Sequence, residues 1–127
     1  MPSSRRHSGF TLIELLVVLS IVSLLLSLAV PRYFQSLENA KETMLADNLR
    51  QTRKMLATFY GDTGRYPETL DELVERNYLK SLPLDPVTGS VTTWLTVSPK
   101  EGVRGRVYDI RSGAPGLDRF GRPYGEL

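Results

Sequence analysis

The feature that most constrains this chain is an apolar run that extends from Phe10 to Val30. As an α-helix rising about 1.5 Å per residue, the run would span roughly 31 Å, close to the hydrocarbon thickness of a bilayer. It is therefore long enough to cross a membrane once. Its polar side chains are a threonine, three serines and a single charged residue, Glu14. A carboxylate in such a segment costs about 2.5–3.5 kcal/mol on insertion scales, so Glu14 needs a partner or a function.

Two kinds of N-terminal apolar segment fit this pattern. In a secretory signal peptide, Ser27-Leu28-Ala29 would be a small-x-small cleavage site that releases a soluble domain starting at the next residue. In a retained membrane helix, the step from polar to apolar residues at Gly9-Phe10 would mark the membrane boundary. The length of the run, its Glu14 and the position of Pro31 just after the supposed cut favour the retained helix.

The residues Gly9-Phe10-Thr11-Leu12-Ile13-Glu14-Leu15 resemble the processing site of type IV pilins and of the pseudopilins of type II secretion. The resemblance implies that a membrane peptidase cuts after Gly9, methylates the new N-terminus at Phe10 and leaves the helix attached. It also implies that Glu14 sets the register between neighbouring helices. Residues further along resemble the pseudopilin G branch: Tyr66-Pro67, Leu70, Leu73, Tyr78-Leu79 and the run from Leu82 to Gly89.

A physical argument for Glu14 agrees with this resemblance. Cleavage after Gly9 exposes a cationic amine at Phe10, and a helix stacked beside another with an axial offset can place its Glu14 against that amine. A subunit in the wrong register would leave both charges unpaired, so the carboxylate selects one stagger by penalising the others. In the alternative interpretation, Glu14 snorkels to the membrane interface from near the helix end.

The sequence divides the chain into three parts. Residues 1–9 are predicted to be a leader peptide, residues 10–30 the transmembrane and assembly helix, and residues 31–127 a periplasmic globular domain. One long helix from Phe10 to about Tyr60 enters that domain, because apolar residues continue at helical spacing beyond Pro31. Pro31 should kink the helix, since it lacks a donor and its ring crowds the carbonyl four residues earlier.

The remaining chain predicts an α+β, pilin-like fold in which the long helix packs against a small C-terminal antiparallel sheet. Thr69 and Glu72 have the spacing of a capping box and predict a short helix that starts between them. Two runs rich in β-branched and aromatic residues, Val91–Val97 and Val103–Ile110, are predicted to be strands joined by a hairpin loop.

The tail from Arg111 to Leu127 is predicted to be a loop anchored by two aromatic residues, Phe120 and Tyr124. Many major pseudopilins bind calcium in a C-terminal loop, and calcium needs six to eight oxygen ligands. The weak candidate ligands in this chain are Asp109, Ser112 and Asp118. In the alternative interpretation, the two aspartates pair with arginines or cap turns. No other cofactor is expected.

Composition excludes several other functions. The chain has no cysteine, which rules out disulfides and thiolate metal sites, and its single histidine, His7, lies in the leader. No Ser/His/Asp or Cys/His set can be assembled and no Gly-rich nucleotide motif occurs, so we do not expect an enzyme. Without Arg5 and Arg6 of the leader, residues 10–127 carry 14 basic and 14 acidic side chains, which gives no basis for nucleic-acid binding.

The resemblance thus implies a structural subunit of a type II secretion pseudopilus. It implies a helical homo-oligomer, contacts with other pseudopilins, the prepilin peptidase and the inner-membrane secretion platform, a cytoplasmic N-terminus and a periplasmic C-terminal domain. A type IV pilin of a surface pilus is the alternative within the family. The absence of cysteine slightly disfavours it, because many pilins close their C-terminal loop with a disulfide. A soluble periplasmic binding module released after Ala29 is the alternative from a different class.

Overall fold

A computed structural model describes residues 9–127 in two units, of which the first ends at Leu37 and the second comprises Glu38–Leu127. The predicted leader, residues 1–9, lies outside the described residues except for Gly9. In chain order the elements are a long helix, a short helix, two short strands and a final 3-10 turn. This arrangement confirms the α+β prediction.

Helix α1 is Leu12–Thr63 and contains 52 residues. The prediction of one helix from Phe10 to about Tyr60 is confirmed to within a turn at each end. The helix continues through Pro31, and a kink at that residue stays a prediction. Gly64 follows the last turn with a positive φ of 76°, which glycine adopts without steric cost, and its amide donates to the Tyr60 carbonyl at 2.8 Å.

In the second unit, α1 buries one side at spacings of three and four residues. The buried residues are Glu42, Leu45, Leu49, Thr52, Leu56 and Phe59. The apolar ones share a hydrophobic core with Leu73, Trp94, Val107, Ile110, Ala114 and Tyr124. Burying each large apolar side chain contributes roughly 1.5–3 kcal/mol, so packing rather than helix propensity holds this half of α1 in place. Four of the apolar residues that continue at helical spacing beyond Pro31 are exposed rather than packed: Tyr33, Phe34, Leu37 and Met44.

Helix α2, Leu70–Glu75, begins where the sequence predicted a capping box. Thr69 is the N-cap, and its hydroxyl accepts a hydrogen bond from the amide of Glu72 at 3.3 Å. In a capping box the Glu72 carboxylate would accept a hydrogen bond from the amide of Thr69. Here it accepts one from the amide of Glu68 instead, at 3.2 Å. The same carboxylate is paired with the Arg65 guanidinium. Glu72 therefore fastens α2 to the segment that follows α1.

The two strands are shorter than predicted. Strand β1 is Leu95–Val97 and strand β2 is Asp109–Arg111, and they pair in antiparallel register with Thr96 opposite Ile110. Each strand has three residues, whereas the sequence predicted seven and eight. The small antiparallel sheet is thus confirmed, but most of the predicted strand residues bond elsewhere.

Residues 104–107 leave the sheet and pair with Tyr66 and Pro67 instead. The amide of Tyr66 donates to the carbonyl of Arg104 at 3.0 Å. Gly105 permits this close approach with a φ of 101°, and a Cβ at this position would lie 2.2 Å from the Tyr66 carbonyl oxygen. The backbone pairing of this segment therefore requires a glycine.

The C-terminal tail follows the core and ends in the 3-10 turn Tyr124–Glu126. The predicted anchor Tyr124 is buried, which confirms its role. The second predicted anchor is wrong, because 71% of the Phe120 surface is exposed. The reason is that Asp118, rather than the aromatic ring two residues later, is the buried residue of this turn.

Replacement of Gly105 tests the backbone contact with Tyr66. Gly105→Ala should lower the free energy of unfolding by roughly 2–4 kcal/mol, because it combines left-handed strain with a clash against backbone. Gly102→Ala is the matched control: its φ is also positive, at 87°, but no atom lies within 4 Å of an added Cβ, so we expect a loss of about 1 kcal/mol. Denaturant unfolding followed by circular dichroism would measure both, and equal losses would contradict the contact.

Candidate processing and assembly site

The first described residues form a short non-helical segment immediately before α1. Gly9 and Phe10 lie outside the helix, and the Phe10 side chain is 86% exposed. A Cβ at Gly9 would have no other atom within 4 Å. The peptide bond between these residues is therefore open on its glycine side and adjoins a helix start, a geometry that a peptidase can reach. Cleavage at this bond stays a prediction.

Thr11 and Glu14 form a capping box at the start of α1. The Thr11 hydroxyl accepts a hydrogen bond from the amide of Glu14 at 3.1 Å, and the Glu14 carboxylate accepts one from the amide of Thr11 at 3.4 Å. The first turn of a helix carries unsatisfied amides and a partial positive charge, so it favours a carboxylate. Sequence reasoning missed this role of Glu14, although the Thr-x-x-Glu spacing before an apolar run was visible.

The side chains that follow Glu14 make an apolar surface that is exposed in the described part of the first unit. From Leu12 to Val30 the large apolar side chains are 43–78% exposed. The hydroxyls of Ser20 and Ser27 donate to backbone carbonyls four residues earlier, at 2.7 and 2.8 Å, so they make no demand on a partner. A window of α1 has a mean hydropathy of 2.7, which makes it long and apolar enough to cross a membrane. Glu14 is the charged group that this surface contains.

The three candidate calcium ligands each have a protein partner. Asp109 pairs with Arg53 at 2.7 Å, and Asp118 pairs with Arg122 at 3.2 Å. The buried Ser112 hydroxyl donates to the Asp85 carboxylate at 2.5 Å. Within residues 9–127, no group of three or more His, Cys, Asp or Glu side chains is arranged to hold a metal ion. Calcium binding stays a prediction, and the contacts seen here are those of the alternative interpretation.

Asp85, which lies in the run that resembles the pseudopilin G branch, is a fully buried carboxylate. One of its oxygens accepts from the amides of Val87 and Thr88 at 2.9 and 3.3 Å, and the other accepts from Ser112. The Ser112 hydroxyl in turn accepts from the amide of Ala114 at 3.1 Å. Asp85 therefore joins the proline-rich loop to the C-terminal tail in the middle of the second unit.

Two carboxyl groups of the second unit have lowered pKa values. A hydrogen bond from Arg65 lowers the pKa of Glu72 by more than burial raises it. Burial raises the pKa of Asp118, but the amides of Arg122 and Phe120 and the charge of Arg122 together bring it below its ordinary value. The folded chain therefore favours the ionised form of both groups.

Comparison with known proteins supports the interpretation of the N-terminal segment. A family model described as the prokaryotic N-terminal methylation motif matches residues 4–30. This range contains Gly9, Phe10, Thr11 and Glu14. No solved structure matches the chain.

Several curated proteins are similar over most of the sequence. The type II secretion system core protein G of Aeromonas hydrophila is 35% identical over 98 residues, which cover 65% of this chain and 68% of that protein. The protein of the same name from Escherichia coli K12 is 30% identical over 131 aligned positions, which cover 91% of this chain and 86% of that protein. The type IV wide pilus major component PilA4 of Thermus thermophilus is 28% identical over 116 residues, which cover 78% of this chain and 87% of that protein.

Acid should weaken the second unit through Glu72 and Asp118. A carboxyl group whose folded pKa lies below its unfolded value adds stability above the unfolded value, about 4, and loses it as the pH falls through the folded pKa. We expect the unfolding temperature of the detergent-solubilised chain to decrease when the pH is lowered below about 4. Asp118→Asn should be less stable at neutral pH and should lose less on acidification. Circular dichroism at a series of pH values would measure this, and parallel curves for the variant and the parent would contradict the role of Asp118.

Proposed function

The chain belongs to the family of type II secretion system core protein G, and from this membership we propose how its residues carry out the work of a pseudopilin. It is a structural subunit that polymerises through its N-terminal helix into a pseudopilus supporting protein export. The observation that carries the proposal is the apolar, unpacked surface of α1 with Glu14 in its first turn, directly after Gly9-Phe10. A surface of this kind is stable only in lipid or against other helices.

Processing at Gly9 would create the partner that Glu14 lacks. Hydrolysis of the Gly9–Phe10 peptide bond leaves a cationic amine on Phe10, and N-methylation keeps that charge while it replaces one N–H donor. Among residues 9–127 of a single chain, the described contact that compensates the charge of the Glu14 carboxylate is the one with the Thr11 amide at 3.4 Å. The amine of a neighbouring copy would neutralise it at one axial offset, and other offsets would leave two charges in an apolar environment.

The family membership gives the proposal its orientation. We place the leader with Arg5 and Arg6 in the cytoplasm, the helix of residues 10–30 in the inner membrane and the second unit in the periplasm. The number of basic residues does not decide the orientation, because Arg32, Lys41 and Arg50 follow the span. Pro31 would then lie where the helix leaves the membrane, and a kink there would set the direction in which α1 continues.

Pilus subunits are also similar to this chain, but the core protein G relatives are the better matches. A released soluble domain is disfavoured because the methylation motif covers residues 4–30 and therefore includes the whole apolar run. The other pseudopilins, the prepilin peptidase and the secretion platform are the partners that the pseudopilin role requires.

The register role of Glu14 can be separated from its capping role. Glu14→Gln keeps a side-chain oxygen for the Thr11 amide but removes the charge, so it should be processed normally and assemble at least tenfold less fibre. Thr11→Val removes the hydroxyl of the cap and keeps the carboxylate, so its fibre yield should stay close to that of the parent. Shearing and quantifying fibres from processed protein would measure both. Normal assembly of Glu14→Gln with poor assembly of Thr11→Val would assign Glu14 to capping alone.

The processing site is tested by the N-terminus of the mature chain. We expect mass spectrometry to find a first residue of Phe10 that carries one additional methyl group, and Gly9→Val to accumulate as the unprocessed chain because a branched side chain is not accepted at the cut. A mature chain that begins at Val30 would show release by an ordinary signal peptidase. A chain that begins at Phe10 in the Gly9→Val variant would refute the assigned bond.

A further inference from the structure

Phe120 is held out into solvent by a turn that is itself firmly fixed. In residues 118–122, which we call the Phe120 turn, the Asp118 carboxylate accepts hydrogen bonds from the amides of Phe120 at 2.9 Å and Arg122 at 2.8 Å. The Asp118 amide donates to the Arg122 carbonyl at 2.8 Å, and the Gly121 amide donates to the Asp118 carbonyl at 3.1 Å. The backbone is thus tied at every position around an aromatic ring that touches little of its own chain.

The turn is also tied to α1 through a buried carboxylate. Glu42 accepts a hydrogen bond from the amide of Arg119 at 2.8 Å and forms an ion pair with its guanidinium at 3.2 Å. The hydroxyl of Tyr124 donates to the same carboxylate at 3.3 Å. The Phe120 turn is therefore fixed to the part of α1 that lies in the second unit.

Two arginines flank the exposed ring. The guanidinium carbons of Arg119 and Arg122 lie 5.2 and 5.7 Å from the Phe120 ring centroid, within the range of cation–π contact. Their carboxylate partners Glu42 and Asp118 are buried, whereas the arginine side chains are partly exposed. The turn thus presents an aromatic ring with two guanidinium groups near it, each paired with a buried carboxylate, and aromatic and arginine side chains dominate the energetics of protein interfaces.

A groove on another part of the second unit has the complementary character. Its volume is about 630 Å³, which is in the range of pockets that enclose aromatic groups. The apolar lining side chains are Leu70, Leu82, Val91, Trp94 and Val107. Trp94 is buried and fixed by a hydrogen bond from its indole nitrogen to the Pro83 carbonyl at 2.7 Å. We call this feature the Trp94 groove.

The rim of the Trp94 groove is acidic. Glu68 and Asp71 lie among its lining residues, together with one basic residue, Arg106, which pairs with Glu68 at 3.1 Å. The exposed carboxylates thus exceed the guanidinium groups by one. The groove therefore offers apolar side chains to an aromatic ring, and an excess of one carboxylate to the guanidinium groups near that ring.

We propose that the Phe120 turn of one copy of this chain docks in the Trp94 groove of a second copy. The turn and the groove share no residue, so the contact joins two different surfaces. A contact of this heterologous type leaves a free turn at one end and a free groove at the other, and it repeats into an open helical polymer when its rotation does not close a ring. The inference rests on the proposed function, which brings many copies together through their N-terminal helices.

A photoreactive residue at position 120 identifies the surface that the turn touches. Phe120→p-benzoylphenylalanine in otherwise intact, processed chains should give a dimer on irradiation of fibres, with the adduct mapped by mass spectrometry to groove residues of a second copy. Leu95→p-benzoylphenylalanine is the matched control, because Leu95 is comparably exposed on the same unit but lies outside the groove. An adduct to lipid, to a different protein or to another surface of a second copy would overturn the proposal.

The absence of native cysteine permits a quantitative second measurement. Chains with Leu117→Cys, beside the turn, are co-assembled with chains carrying Ser98→Cys or Thr92→Cys in the groove. We expect cross-linked dimers with a short bismaleimide in the mixed fibres, and not with Thr58→Cys on the exposed side of α1. Adding Phe120→Ala to the Leu117→Cys chain should lower the dimer yield about tenfold, which corresponds to a loss of roughly 1.4 kcal/mol in the free energy of docking. Leu95→Ala should leave the yield unchanged.

These results distinguish the inference from the function on which it depends. If fibres form at normal yield and neither groove cysteine gives dimers, the docking proposal fails and the pseudopilin role stands. If the parent chain forms no fibres while secretion proceeds, the proposed function itself fails. A Phe120→Ala variant that retains full cross-linking would show that the ring does not make the contact.

Discussion

The N-terminal half of this chain is governed by the cost of one carboxylate on an apolar helix. The other large side chains of residues 12–30 are apolar, and the hydroxyls of Ser20 and Ser27 donate to carbonyls of their own helix. The free energy of contact between two such apolar surfaces changes little when one helix is shifted along the other, so these contacts hold helices together without selecting an axial offset. In the proposed assembly Glu14 would supply the preference, since its charge can be compensated at few positions. Its place one turn after Gly9-Phe10 means that the proposed cut would also produce the compensating amine.

The second unit uses buried carboxylates where a larger domain would use more sheet. Only three residue pairs form its sheet register, yet the loops that follow α2 are held in place by Glu42, Asp85 and Asp118. Each accepts hydrogen bonds from backbone amides or hydroxyls, and a hydrogen bond to a charged group contributes about 1.5–3 kcal/mol. In a chain without cysteine, these side chains fasten the tail to the core.

The helices could be predicted from the sequence because their signals are local. Apolar spacing gave α1 to within a turn at each end, and the Thr69 cap gave the start of α2. The lengths of the strands could not be predicted in this way. The residues from Val103 onward have β propensity, but part of their backbone bonds to Tyr66 and Pro67, a non-local contact that Gly105 permits. Phe120 was assigned to the core by its chemistry alone. Nothing in the local sequence indicates that Asp118 takes the buried position instead.

The candidate site was predictable in part for a similar reason. The resemblance placed Gly9, Phe10 and Glu14 together, and the described segment has Gly9 and Phe10 exposed in front of the helix. What the resemblance concealed was the local role of Glu14, because a register function appeared sufficient to explain the residue. The capping bonds show that the two roles are compatible, since a cap at 3.4 Å holds the carboxylate at the helix start without neutralising it.

The two units would then specify different degrees of freedom of a fibre. A charge pair between helices fixes how far one copy is displaced along another, but it leaves the copies free to rotate about their axes, because the surrounding apolar surface is exposed on all sides. Rotation can be fixed only by a directional contact at some distance from the axis, and a rigid aromatic turn is suited to this. The Phe120 turn has its conformation set before any contact forms, so docking would cost little ordering entropy. A flexible tail with the same residues would lose that advantage, which explains why so many hydrogen bonds converge on a turn whose central side chain is outside the core.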